Sequence, residues 1–209
     1  MKLESFNNNL YIPRNVEGEP NRELLDITRA MEETLQQNES FVGLAPFGSW
    51  MSGYSNEKSD IDLYVLYDSV HQSRVAFESF LNTVEKELEA ARGRRIHCKA
   101  FDVNPDLVIA DIPRDVDGCN PYVHRIQAMT RIVTGKKIDH YRGELAQKLH
   151  RLTPAEQQAV SNDTFRSLSN SDAESFGKRK KRMFDFSEEE RSGMTSAQLQ
   201  RILPVNRTA

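Results

Sequence analysis

The sequence predicts an α+β fold in which a small mixed β-sheet is flanked by helices and followed by a helical C-terminal elaboration. Three observations predict it. Two separate stretches carry apolar residues at helical spacing, strand-like runs lie between and after them, and from Pro121 onward the pattern is helical.

The elements follow in order. Leu24, Ile27, Met31 and Leu35 make residues 21–37 an amphipathic helix with one buried stripe. Residues 41–47 form a short apolar run between Ser40 and Gly48, which suits a buried strand. From Asp60 to Tyr67 the chain alternates, with Ile61, Leu63, Val65 and Tyr67 on one face and Asp60, Asp62, Tyr64 and Leu66 on the other. Both aspartates therefore project the same way. Phe77, Phe80, Leu81, Val84 and Leu88 make a second helical stripe that Gly93 is placed to end as a left-handed cap. Residues 95–103 and 107–112 read as the strands of a hairpin, with Asn104, Pro105 and Asp106 as its turn. Helices are expected over 125–133, 138–152 and from Thr153, where Thr153, Pro154 and Glu156 make a capping box. Thr195 and Gln198 repeat that spacing, and residues 168–194, rich in Ser and charge, read as linker-like. The division that results is a core over 1–118 and a helical region over 119–209.

The 209 residues suffice for one catalytic unit with elaboration. A hydrophobic content of 38%, a charged content of 28% and a formal net charge of -3 describe an ordinary globular chain, so any polyanion contact would come from a local patch. The obvious patch is Lys178 to Arg182, beside the carboxylates of Glu188 to Glu190. Cys98 and Cys119 make neither a disulfide framework nor a zinc site, and both read as core thiols. With no signal-like start and no run of ~18 apolar residues, a cytoplasmic setting and no membrane partner are expected. Oligomeric state is not legible.

Chemistry concentrates between residues 47 and 62. A Gly48-Ser49 turn at the end of a strand offers backbone N–H groups and a hydroxyl to phosphates, glycine allowing the close approach. Asp60 and Asp62, two apart on one strand face, place carboxylates side by side where hard divalent cations bind. Two-metal phosphoryl transfer uses such an arrangement, with a third acid on a neighbouring strand. Taken singly, Gly48-Ser49 could be a capped turn and the aspartates a wet strand face. His97 reads more readily as a structural or solvated histidine, Lys99 as a lysine that blunts a strand edge, and Trp50 and Tyr54 as packing residues.

Phe47-Gly48-Ser49 followed by Ser59-Asp60-Ile61-Asp62-Leu63 resembles the signature of the DNA polymerase β-like nucleotidyltransferase superfamily. The run Cys98 to Phe101, a turn, then Val108 to Ile112 looks like the paired strands of terminal nucleotidyltransferases and oligoadenylate-synthetase-like enzymes. The resemblance covers about residues 40–113. It implies catalytic, metal-holding roles for Asp60, Asp62 and a third aspartate at Asp111, with Asp102 as rival, and nucleotide binding at Gly48 and Ser49. It also implies Mg2+ or Mn2+ and transfer of a nucleoside monophosphate from a nucleoside triphosphate, ATP among them, to a hydroxyl with release of pyrophosphate. The acceptor stays open: an RNA end, a nucleotide, a protein or a small molecule. Two other readings compete, a catalytically silent binding or antitoxin-like module and an RNA-binding adaptor using residues 178–182. Clustered carboxylates that repel one another without a cation argue against the silent module.

Overall fold

The computed structural model describes residues 22–48, 58–112, 121–130 and 138–170. Helix α1 (Arg22–Leu35) buries Leu24, Ile27, Thr28, Met31 and Leu35. The one polar member of that stripe is satisfied internally, since the Thr28 hydroxyl donates to the Leu24 carbonyl at 2.7 Å. Asn38 then turns the chain by accepting from the Ser40 N–H at 2.9 Å, and β1 (Phe41–Phe47) begins. β2 (Ile61–Tyr67) runs antiparallel to β1, with Phe47 opposite Asp62 and Ala45 opposite Tyr64.

Helix α2 (Arg74–Arg92) starts at Ser73, whose side chain accepts from Ala76 N–H, and ends at Gly93 with φ 62°, the left-handed cap expected there. β3 (Ile96–Asp102) returns parallel to β2, as a crossover through a helix requires, and pairs His97 with Asp62. The sheet order is β1-β2-β3, so β2 is central. β3 is an edge strand, but two of its backbone N–H groups are occupied: Glu89 of α2 accepts from Ile96 and Glu85 from Cys98. Burial and the Glu85 carboxylate push the Cys98 thiol well above its usual range, which leaves it an inert core group.

The next segment departs from the sequence expectation. Residues 107–112 do not form the second strand of a hairpin; Pro105–Asp111 is helix α3. Asp102 accepts from the Asn104 N–H, and Asn104 in turn accepts from Asp106 N–H as the N-cap, with Pro105 in the first turn. An Asn-Pro-Asp triplet serves a helix start as well as a turn, and a short apolar run cannot separate strand from helix. Burial of Pro105, Val108 and Asp111 at three-residue intervals fits the helix.

Helices α4 (Pro121–Thr130), α5 (Ile138–Leu149) and α6 (Pro154–Asn170) follow. Arg142 of α5 donates to the Met129 carbonyl of α4 at 2.6 Å, and Tyr122 of α4 donates to Asp163 of α6 at 2.7 Å. The capping box at α6 forms as expected: Thr153 N–H donates to Glu156, and Glu156 N–H donates back to the Thr153 hydroxyl. The expected linker keeps only 168–170, which continue α6; residues 171–194, the basic run 178–182 and the cap at Thr195 lie outside the described residues.

The sheet is sandwiched. On one face Ile61, Leu63, Val65 and Ile96 pack with Leu24, Ile27 and Met31 of α1 and Phe77, Leu81 and Val84 of α2. On the other, Ala45, Tyr64 and Leu66 pack with Tyr122, Ile126 and Met129 of α4, and with Ile138, Leu145 and Val160. β2 is thus buried on both faces, which is why its sequence is nearly continuous in apolar residues. Its exception is Asp62, at the end that the helices leave open. Among the described residues no helix is long and apolar enough to cross a membrane.

Candidate active site

The open end of the sheet brings three strands' side chains onto one face. β1 ends at Phe47 opposite Asp62, and Gly48 follows with φ 77°, a conformation that L side chains rarely adopt. A Cβ placed on Gly48 would stand 2.2 Å from Oδ2 of Asp62. The missing side chain is therefore room that the Asp62 carboxylate uses. Beneath it an aromatic floor crosses the strands: Phe47 stacks on Tyr64 at 3.9 Å between centroids, and Tyr64 meets Phe101 edge-on at 5.4 Å.

Asp62 is half-buried and Asp60, just before β2, is more open, at 22% and 38% side-chain exposure. Burial raises the Asp62 carboxyl above its ordinary range; the contact with His97 pulls it back, and the nearby charge of Asp60 raises it again. The flanking basic side chains come from β3 and from the residue just before it. Nδ1 of His97 lies 3.2 Å from Oδ1 of Asp62, and Nη1 of Arg95 lies 3.6 Å from Oδ2 of Asp60. Lys99, two residues beyond His97 on the same face, holds its ammonium 5.5 Å from the centre of the Phe47 ring. The parallel register thus puts His97 and Lys99 where a carboxylate was expected on the neighbouring strand.

Asp111 is not brought to this pair. It lies on α3, which follows the far end of β3, where its Oδ2 is 3.0 Å from Nη1 of Arg125 on α4. That contact is an ion pair by distance and not an aligned hydrogen bond, since no hydrogen bond forms at the buried Nη1. Asp102 is no substitute. It pairs with Tyr67, five residues along β2 from Asp62 and about 16 Å away at ~3.3 Å per residue, and alternation puts it on the opposite sheet face. Ser49, Trp50 and Tyr54, and likewise Cys119, lie outside the described residues. Among the described residues no group of three or more His, Cys, Asp or Glu side chains is arranged to hold a metal ion.

A Gly turn beside an Asp-x-Asp strand, at the uncovered end of a mixed sheet between helical layers, decides the relationship. Residues 28–126 match the family model of the nucleotidyltransferase domain. The match is consistent with the polymerase β-like nucleotidyltransferase superfamily. The match begins inside α1 and ends inside α4, so the domain takes in the whole sheet and the first helix of the C-terminal layer. No curated protein and no solved structure matches the chain. Arg95 and the supporting Glu85 and Glu89 were missed by sequence reasoning, and His97 was read as structural or solvated. Their signal was present only as positions 95, 97 and 99 on alternate residues, which acquires meaning once the register against Asp62 is known.

Proposed function

We propose that this nucleotidyltransferase domain is active, moving a nucleoside monophosphate from a nucleoside triphosphate to a hydroxyl acceptor with release of pyrophosphate. The observation that carries the reading is the placement of Asp62, a carboxylate kept at the one uncovered position of the central strand, with the Gly48 backbone packed against it and Asp60 beside it. A half-buried strand position is a costly place for a charge unless the charge is used.

The residues fit a hard divalent cation, Mg2+ or Mn2+, at the carboxylate pair. Asp60 and Asp62 would supply oxygen ligands, and the charge of Asp60 raises the cost of ionising Asp62, so a cation there would relieve a repulsion already present. When bound, such an ion polarises phosphoryl oxygens and offsets the negative charge of the transferring group. The protein's own part is positional. Gly48 admits a triphosphate close to the backbone, with Ser49 as the adjoining hydroxyl donor, while the Phe47–Tyr64–Phe101 floor keeps Asp62 from turning into the core. Asp111 is assigned to tying α3 to α4 through Arg125.

A second reading, a catalytically silent module, draws on the same face, because β3 offers His97 and Lys99 there in place of an acid. One experiment separates the two. The protein is incubated with each labelled triphosphate, Mg2+ or Mn2+, and RNA, protein and metabolite fractions in turn, beside the Asp60→Asn, Asp62→Asn double variant. Label transferred by the wild type and absent with the variant or in chelator supports the enzyme; equal label from both, or none from either, overturns it.

A further inference from the structure

We infer that His97 is a nitrogen ligand of the divalent cation at Asp60 and Asp62, so that the site favours a first-row transition-metal ion such as Mn2+ over Mg2+. This inference rests on the cation placement proposed above and adds a ligand of another kind and the class of ion it selects.

The parallel register sets His97 directly opposite Asp62, on the same face of the sheet. The backbone on both sides of His97 is held from α2, since Glu89 accepts from Ile96 N–H and Glu85 from Cys98 N–H. From that anchored strand Nδ1 of His97 stands 3.2 Å from Oδ1 of Asp62. Neighbouring ligands on an ion with bonds of about 2.1–2.2 Å lie about 3.0–3.5 Å apart, so the two atoms already have the spacing of a ligand pair. Among the described residues the three groups are not yet gathered, because Asp60 lies towards Arg95 at 3.6 Å; at 38% side-chain exposure it completes the set by turning.

A hydrogen bond accounts for the 3.2 Å equally well, and the neighbours decide between the two. Positive charge is already supplied by others: Lys99 acts on Asp62, and Arg95 lies beside Asp60. Neither lysine nor arginine has a lone pair to give, and the imidazole does. What His97 adds to this face is therefore a donor atom. Its side chain is 53% exposed, which leaves an ion bound there open to water and phosphate oxygens. Mg2+ takes oxygen ligands and gains little from imidazole, whereas affinity for a mixed nitrogen and oxygen set rises along the transition series from Mn2+ to Co2+ and beyond.

The test uses the full chain with Mn2+ and no nucleotide, and two readouts that need no turnover. Pulsed electron paramagnetic resonance detects coupling between the ion and an imidazole nitrogen, and calorimetry gives the affinities of Mn2+, Co2+ and Mg2+. His97→Ala, His97→Asp and the Asp60→Asn, Asp62→Asn pair are the variants, with melting curves to check folding. The wild type should show nitrogen coupling that is lost in all three variants. His97→Ala should weaken Mn2+ and Co2+ about tenfold or more and Mg2+ by no more than about twofold, while His97→Asp, which restores a ligand as oxygen, should strengthen Mg2+. Bound Mn2+ without nitrogen coupling overturns the inference, as does the absence of saturable Mn2+ binding. So does a His97→Ala variant in which Mn2+ and Mg2+ weaken in parallel, since His97 would then only position Asp62. The transferase reading is judged apart, by label transfer: coupling without transfer keeps His97 as a ligand in a silent module, and transfer without coupling keeps the enzyme and removes His97 from its metal.

Discussion

Aspartates occupy both ends of the same small sheet, and the two ends treat them in opposite ways. At the far end Asp68, Asp102 and Asp111 are buried, each with an assigned partner. Asp68 accepts from Val70 N–H and from the Tyr141 hydroxyl, at 2.9 and 2.6 Å, Asp102 accepts from Asn104, and Asp111 faces Arg125. At the near end Asp60 and Asp62 stay partly open and repel one another, with His97 and Arg95 beside them at longer range. The far end uses its carboxylates to tie α5 to the end of β2, to hold the start of α3 and to join α3 to α4. The near end holds its own in reserve, and that contrast is what separates a site from a structural network when residue type is the same.

The comparison breaks most visibly if activity and stability fail to part. Asp60→Asn with Asp62→Asn should lower transfer by on the order of a thousandfold, several kcal/mol of transition-state stabilisation at 1.36 kcal/mol per decade. Its melting temperature in chelator should hold or rise, because a mutual repulsion is removed. Unfolding of that variant would put the near end in the same class as the far end. The far-end counterpart is Asp111→Ala, expected to cost about 3–5 kcal/mol in denaturant titration by leaving the guanidinium of Arg125 uncompensated, its Nη1 buried. A loss near zero would mean that the pair is not structural.

Gly48→Ala sharpens the near end. The new Cβ would meet the Asp62 carboxylate and the backbone φ would be strained, so activity should fall about a hundredfold as the carboxylate shifts. Triphosphate affinity and transfer rate, measured separately, show whether the glycine serves the phosphates, the aspartate or both. At the far end, Tyr141→Phe deletes one of the hydrogen bonds to the Asp68 carboxylate and should cost about 1–3 kcal/mol without changing transfer. Burial and the Asp68 bond hold the Tyr141 phenol far above its usual range, so no change with pH is expected near neutrality.

The smallest effect belongs to the capping box of α6, outside the comparison and useful as its baseline. The hydrogen bonds from Thr153 lower the Glu156 carboxyl below its ordinary value. A depressed carboxyl contributes stability above the unfolded value and loses it as pH falls through the folded one. Glu156→Gln should therefore flatten the acid limb of a melting-temperature profile slightly and leave the neutral plateau nearly unchanged.

Much of this was legible in the residues. The stripe of α1, the strands through Phe47 and Tyr67, the Gly93 cap and the Thr153 box all rest on local chemistry, and each forms where local chemistry put it. So did the shared face of Asp60 and Asp62, since alternation along one strand needs no partner. What failed needed knowledge of a neighbour. Asn104-Pro105-Asp106 is turn and helix start alike, and only packing of Val108 against the C-terminal helices chooses between them. The place opposite Asp62 is set by a parallel register across a 19-residue helix, which no local rule supplies, so His97 stood there unrecognised while Asp111 was given the role.

The carboxylates of Glu85 and Glu89, set against the backbone of β3, bear on how this domain could diversify. An edge strand with open N–H groups invites another chain to add to it, and its side chains are commonly held to charged or awkward choices that discourage such pairing. Here the discouragement is supplied from the helix, through hydrogen bonds that do not depend on what positions 95, 97 and 99 present to solvent. Those positions are free to change with little penalty in aggregation or folding. A mutational library confined to them would vary the face beside Asp60 and Asp62 while the strand's edge stays covered, making this strand the part of the molecule where evolvability is concentrated.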